Sequence, residues 1–342
     1  MAVNFVSKID ESGTARKSAH SVDVSHLIES ASEATVFHEA WWLHAATGGR
    51  YDEVVVRNGD QIVGWLPFVT IKRMGLTFLT APPLTHVLGP VVDAGAGKPQ
   101  TQLKQRLSVV QGLVEQLPRF DSFKQVLPAA SAVGLAFQYQ GFEVRQQFNF
   151  EIECRGDTKQ LWDAMHFKTR QHIRRAGEKL SLTTLADPED FVRFYNANLR
   201  QRGIEPFRQL ETFPAAFRAT QTKNCGEIIC ARWPDGRAAA MVFLLWSKNR
   251  MYYLLSTRSI DSNDNGSISF LIWSAMQRAH SLGLKFDLDG VSTAGTARFL
   301  LGFGGQVQIR TIVERATLIY RAMRFAKRTL VGGDADRTIP FA

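Results

Sequence analysis

One succession of segments restricts this chain's fold more than any other. Residues 227–233 read EIICARW, 238–246 AAAMVFLLW and 250–258 RMYYLLSTR. A loop, SIDSNDNG (259–266), leads to the amphipathic stretch SISFLIWSAMQRAHSLG (267–283) and then to KFDLDGV (285–291). β-branched and aromatic runs bounded by turn residues read as strands, and the 3.6-residue apolar period of 267–283 reads as a helix. The order is therefore an antiparallel hairpin, a loop, a helix and a strand. Helices precede it: 157–180, then, after a strand LTTLA, PEDFVRFYNANLRQRG and FPAAFRATQTK.

The first half has a similar layout without sequence repetition. VFHEAWWLHAA reads as a helix, and YDEVVVRNGDQIVGWLPFVTIKR as two strands about an Asn58-Gly59 turn. TQLKQRLSVVQGLVEQL is helical, and SFKQVL and FEVRQQFNFEIEC are extended. Residues 1–30 are polar and serine-rich and read as an arm; 331–342 read as a tail. A chain of 342 residues suits two domains, expected at 31–147 and 148–330. MAVNFVSKIDESGTARK lacks a signal-peptide core, and AAAMVFLLW is about half a membrane span, so a soluble cytoplasmic protein is expected. Cys154, Cys225 and Cys230 form no disulfide framework, and no further Cys or His pair completes a four-ligand zinc set, so no metal is expected.

The net charge of +9 favours anionic partners without choosing among them. It concentrates in FKTRQHIRRAGEKL (167–180), which carries five Lys or Arg. Trp162, Met165, Thr169, Ile173, Ala176 and Leu180 make one apolar stripe at helical spacing. Arg170 and Arg174 lie on one flank, and Lys168, Arg175 and Lys179 on the other. The flanks are more than about 100° apart, so one compact anion meets at most one of them. A second candidate is the start of the helix at 267. Helix N-termini present unpaired amides to pyrophosphate, Gly266 permits close approach, and Ser267 or Asn265 could cap. In KFDLDGV, period two puts Asp287 and Asp289 on one face, where a carboxylate could take the proton of an attacking amine. Tyr252 and Tyr253 alternate, so one of them faces the cleft.

Three motifs carry a resemblance. They are K-x-R-x-x-I-R-x-A (Lys168, Arg170, Ile173, Arg174, Ala176), the S-x-x-F-L-I-W helix with L-G-L-K-F-D-L-D-G around Asp287, and R-F-L-L-G-F-G-G from Arg298 to Gly305. Together, over 150–315, they resemble the GNAT superfamily in its two-domain, FemAB-like acyltransferase branch. The resemblance implies an α/β (α+β) fold of tandem GNAT-like domains, each a mixed, largely antiparallel sheet flanked by helices. The first domain would be degenerate, and the second would hold the donor.

It further implies transfer to an amine from acyl-CoA (acetyl-CoA or longer) or, in the Fem branch, from aminoacyl-tRNA. The donor would meet Arg258, Asn265, Gly266 and Ser267. Asp287, Asp289 and Tyr253 would act catalytically, Tyr253 supplying the leaving-group proton. Lys168, Arg170, Arg174 and Arg298 would meet a small amine or amino-sugar acceptor. Two departures stand out. The phosphate loop has a single glycine, and Leu300 replaces a lysine of the closing turn. No nucleophile elbow or Walker loop is present, so direct transfer in a ternary complex is expected. A non-catalytic basic module of the same fold is the remaining class. The amides at 265–267 and the Asp287 carboxylate are expected to border one hollow.

Overall fold

The computed structural model describes residues 22–129, 131–260, 266–291 and 293–331. In chain order its elements are α1 (Ser25–Ser30), α2 (Ala40–Thr47), β1 (Asp52–Asn58), β2 (Gln61–Arg73), β3 (Leu76–Thr80), β4 (Val91–Val92), α3 (Pro99–Glu115), β5 (Ser122–Leu127), α4 (Gly134–Tyr139) and β6 (Glu143–Glu153). There follow α5 (Thr158–Ala164), α6 (Phe167–Gly177), β7 (Ser181–Leu185), α7 (Pro188–Gln201), α8 (Phe213–Thr222), β8 (Gly226–Arg232), β9 (Ala238–Trp246) and β10 (Arg250–Arg258). The last are α9 (Ser267–Ser281), β11 (Lys285–Gly290), α10 (Ala294–Leu301), β12 (Gln306–Ala316) and α11 (Leu318–Val331).

The described residues form two compact units, one up to 147 together with those from 309, the other 148–308. The second boundary differs from the 330 expected from sequence. Its cause is β12, whose residues Thr311–Ala316 pair antiparallel with Leu127–Ser122 of β5. The N-terminal arm is also shorter than expected, because α1 buries Leu27 completely and His26 Nε2 lies 3.1 Å from the Ile62 carbonyl.

In the first unit the strand order is β1-β2-β3-β5-β12, with β4 on β2. Gly59, at φ 61°, closes the expected β1–β2 turn. The core is built on Phe123, Phe137 and Phe142, with Val110 and Leu113 of α3. His38 of the first unit is fully buried. Its Nδ1 accepts from the Thr35 N–H (3.1 Å), and its Nε2 lies 3.3 Å from the Gly89 carbonyl.

In the second unit the order is β6-β11-β10-β9-β8-β7. All neighbours are antiparallel except β10 and β11, which are parallel. Ala240, Val242 and Leu244 of β9 pack with α6 and α9 in one core cluster. Phe243, on the other face, packs against Phe213 and Phe217 of α8. A strand covered on both faces needs apolar residues at every position, which explains the unbroken AAAMVFLLW run.

The single helix expected over 157–180 is two helices. Met165 leaves the helical path to enter the core, and the His166 N–H donates to the Gly302 carbonyl (2.9 Å). His166 Nδ1 then caps α6 by accepting from the Lys168 N–H. The apolar stripe nonetheless holds, with Met165, Ile173, Ala176 and Leu180 all buried. The L-G-F-G-G turn packs against this junction. Gly304 has φ 81°, and a Cβ there would lie 2.8 Å from the Ala164 carbonyl oxygen. Gly304→Ala is therefore expected to destabilise the second unit by about 2 kcal/mol in chemical denaturation. Leu300, standing where a lysine was expected, is buried in the same core.

Candidate active site

The parallel ladder between β10 and β11 is short. It pairs Arg250–Tyr252 with Lys285–Asp287 and stops, while β10 runs on to Arg258. Among the described residues no strand pairs with Tyr253–Arg258 on that side. Past Tyr252 the pairing of the two strands ends.

The cause lies in β11. Its register against β6 slips between Asp287, opposite Glu151, and Gly290, opposite Asn149. Asp289 there adopts φ 67°, a left-handed conformation that Asp tolerates better than most residues. Period two therefore ends at Asp287, and the expectation that both carboxylates share one strand face is corrected by this bulge. Asp287 is 2% exposed; its Oδ1 accepts from Asn149 Nδ2 (3.0 Å) and from the Asp289 N–H (2.9 Å). Its neighbours Phe286 and Leu288 join the cluster containing α9, so Asp287 projects from the opposite face of the sheet. It does not border a hollow in common with the start of α9, as the sequence had suggested.

On that face Asp287 belongs to a buried ionic row. Glu151, on β6, and Tyr252, on β10, flank it directly. Arg250 bridges Glu151 (2.6 Å) and hydrogen-bonds Tyr252, and Lys285 Nζ lies 3.1 Å from Glu151 Oε1. Burial by itself would lower the Arg250 pKa, but Tyr252, Asp287 and Glu151 together hold it above the ordinary arginine value. Asn149, Glu151 and Arg250 were not singled out from sequence. The only trace of Glu151 is its alternation with Phe150 and Ile152.

Tyr253 takes the other direction. It is half-buried against the α9 cluster, hydrogen-bonds Ser256, and feels the charge of Asp289. Burial is the main cause that pushes its phenol above the ordinary tyrosine range, with Asp289 adding to the rise. It is thus protonated at neutral pH, as a proton donor must be. Of the three residues expected to act together, Asp289 lies close enough to Tyr253 to act on its charge, while Asp287 faces the other side of the sheet.

α9 begins after the loop that follows β10. Gly266, which carries no side chain of its own to cap the helix, is its N-cap residue. Of the two expected caps, Ser267 is instead the first residue of the helix, and Asn265 lies outside the described residues. Ser267 is fully buried, and its Oγ has no hydrogen-bond partner among the described residues. A buried hydroxyl without a partner among the described residues, at the start of a helix, marks a polar vacancy suited to an oxyanion. Arg258 is exposed at the end of β10, with its carbonyl held by Arg202 (2.8 Å).

The basic candidates are spread over α6 and α10. Arg170 Nη1 lies 3.4 Å from Asp163, the Arg174 guanidinium 5.3 Å over the Trp162 ring, and Lys168 Nζ 6.0 Å from the Phe167 ring. Arg298 is exposed on α10, whose final turn meets α6 where Gly302 faces Thr169. Trp162 packs edge-on against Trp273 of α9 (5.0 Å), tying the basic helix to the candidate donor helix.

A cavity of about 790 Å³ lies elsewhere, in the first unit, between Thr77, Phe120, Asp121, Arg315 and Thr317. Its Arg315 guanidinium is already sandwiched by Phe120 (4.8 Å) and Phe142 (4.5 Å), so its chemistry is structural. The three cysteines are free thiols, and burial pushes Cys154 up to about 12. Among the described residues no group of His, Cys, Asp or Glu is placed to hold a metal ion, and no helix is long and apolar enough to cross a membrane.

Residues 167–299 match the family model described as acetyltransferase (GNAT) domain. Among solved structures, FemX is similar with a TM-score of 0.66 at 11% identity, over 90% of this chain and 98% of FemX. The C-terminal domain of a protein from Agrobacterium fabrum, named provisionally as a lysylphosphatidylglycerol synthetase, has a TM-score of 0.53 at 14% identity, over 90% and 98%. A Bacteroides thetaiotaomicron protein of unknown function has a TM-score of 0.52 at 9% identity, over 85% and 96%. No curated protein matches the sequence. At these identities the structural likeness establishes the fold. The family match spans every predicted site residue from Lys168 to Arg298.

Proposed function

We propose that this chain, a FemAB-like member of the GNAT superfamily, is an N-acyltransferase that moves an acyl group from acyl-CoA to the amine of a small molecule or a sugar or cell-envelope precursor. The observation that carries this reading is the buried Ser267 hydroxyl, without a partner among the described residues, at the start of α9 on the chain segment that follows β10. The donor's pyrophosphate would sit on the amides at Gly266–Ser267, with Arg258 and Asn265 nearby. Its amide-bearing arm would add as a strand along Tyr253–Arg258.

In the transfer, the amine nitrogen attacks the thioester carbonyl; the C–N bond forms, the C–S bond breaks, and no enzyme-bound acyl group intervenes. Asp289 takes the proton leaving the nitrogen, and Tyr253 gives its own to the departing sulfur. Asp287 holds the Asp289 bulge in place from below. Lys168, Arg170, Arg174 and Arg298 are the acceptor's cationic surroundings. In this scheme Tyr253→Phe lowers kcat by about 10²–10⁴ while donor affinity stays within twofold of wild type, checked by steady-state kinetics and calorimetry.

A second reading, an aminoacyl-tRNA donor, is favoured by the similarity to FemX and by the exposed cations of α6. Isothermal titration separates the two. Acyl-CoA species bind with modest salt dependence under the first reading. Under the second, only aminoacyl-tRNA binds, and its affinity falls steeply with salt. Absence of binding by every acyl-CoA rules out the first.

A further inference from the structure

The last helix of the first unit is turned inside out. α11 reads LIYRAMRFAKRTLV. At 100° per residue, Phe325, Leu318, Ala322, Ala326, Ile319 and Met323 fall within one arc of about 160°, and Arg321, Arg324 and Tyr320 on the rest of the wheel. A surface helix buries such an apolar arc. Here Leu318 is 81% exposed, Phe325 74% and Ile319 67%.

The helix is attached instead by its polar side. The Tyr320 ring packs edge-on against Phe78 of β3 (5.1 Å), and Arg324 Nη1 donates to Glu314 Oε1 (2.5 Å). Glu314 is itself buried and also binds Arg145. The helix start is fixed in turn. The Thr317 N–H donates to the Asp121 carbonyl (2.9 Å) and its hydroxyl to the Asp121 carboxylate (3.3 Å), while Thr317 Oγ1 accepts from the Tyr320 N–H (3.4 Å). These contacts hold the apolar face outward.

We propose that α11 is an interfacial anchor that lays this apolar face onto an anionic lipid surface. Charge selects the occupant. The helix carries four Lys or Arg and no Asp or Glu. Arg321 lies at the Phe325 margin of the apolar arc, where its stem can run along the acyl boundary while the guanidinium reaches headgroup phosphates. A second copy docked face to face would bring like charges together with no carboxylate on either helix to offset them, whereas an anionic leaflet supplies both the apolar layer and the counter-charge. Ile71, the cross-strand partner of Phe78, is also exposed and extends apolar surface beside the Tyr320 attachment. The anchor does not depend on the transferase reading.

The test uses the full chain with vesicles of phosphatidylcholine alone or with about 30% phosphatidylglycerol. The protein is expected to co-sediment with the anionic vesicles, less so as salt rises, and not with the neutral ones. Phe325→Glu, at an exposed position, should weaken binding at least about tenfold with an unchanged melting curve. A Phe325→Trp reporter should shift its emission to the blue on anionic vesicles. Failure of the wild type to bind at low salt, wild-type binding by Phe325→Glu, or an unshifted reporter on bound protein would each overturn the proposal. So would a dimer in light scattering that Phe325→Glu splits, since the face would then be a self-association surface.

Discussion

Arg250→Met is expected to cost the second unit about 3 kcal/mol in urea or guanidinium unfolding. The substitution keeps much of the side chain's apolar volume and removes its charge. Glu151, 7% exposed, would then keep Lys285 as its one ion-pair partner among the described residues, and Asp287 and Tyr252 would lose the charge of Arg250. A buried carboxylate stripped of its partner carries the full desolvation penalty. The figure sits at the lower end of the usual range because 24% of the Arg250 side chain still reaches water. Pairing Arg250→Met with Glu151→Met removes both charges together, so the double variant should lose less than the sum of the two single ones. Strict additivity would mean that the two groups do not interact, and the description of the row would be wrong.

His38 predicts a pH dependence in the first unit. Burial is the main cause that lowers its pKa from 6.5 to about 4; the bonds to Gly89 and Thr35 oppose that fall only partly. Between those values the unfolded chain binds a proton that the folded chain refuses, so stability rises with pH across the window and is lost as pH falls from 6.5 towards 4. The full shift corresponds to about 3 kcal/mol. Denaturant titrations at pH 7 and pH 4 should show that loss for the wild type beyond what His38→Gln shows. Glutamine can offer one donor and one acceptor to the same region but does not titrate. Equal slopes in the two proteins would remove His38 from the account.

How far these features were legible in the sequence depends on the range over which they are set. β5 coincides with SFKQVL, and the Asn58-Gly59 turn, the β8–β9–β10 succession and α9 follow from local pattern alone. What was missed is fixed by partners distant in the chain. The α5–α6 break depends on the Gly302 carbonyl, more than a hundred residues from His166. The return of β12 to the first unit depends on β5. The bulge at Asp289 is held by Asp287 and Asn149, and period-two reasoning has no means of registering an inserted residue. The same bulge explains why the candidate site was only half legible. The residue types at 253, 287 and 289 were visible, but the division of labour between an inward Asp287 and a half-exposed Asp289 belongs to the tertiary structure.

In the proposed function an acyl donor lies along Tyr253–Arg258 of β10 with its phosphates at the start of α9. Amide hydrogen exchange with and without acetyl-CoA or a longer acyl-CoA tests this most directly, because both halves of the claim concern main-chain N–H groups. The account predicts slowed exchange in 253–258 and in the first turn of α9 from Gly266. Unchanged exchange in both segments under every acyl-CoA, or protection confined to the first-unit cavity around Phe120 and Arg315, would contradict it.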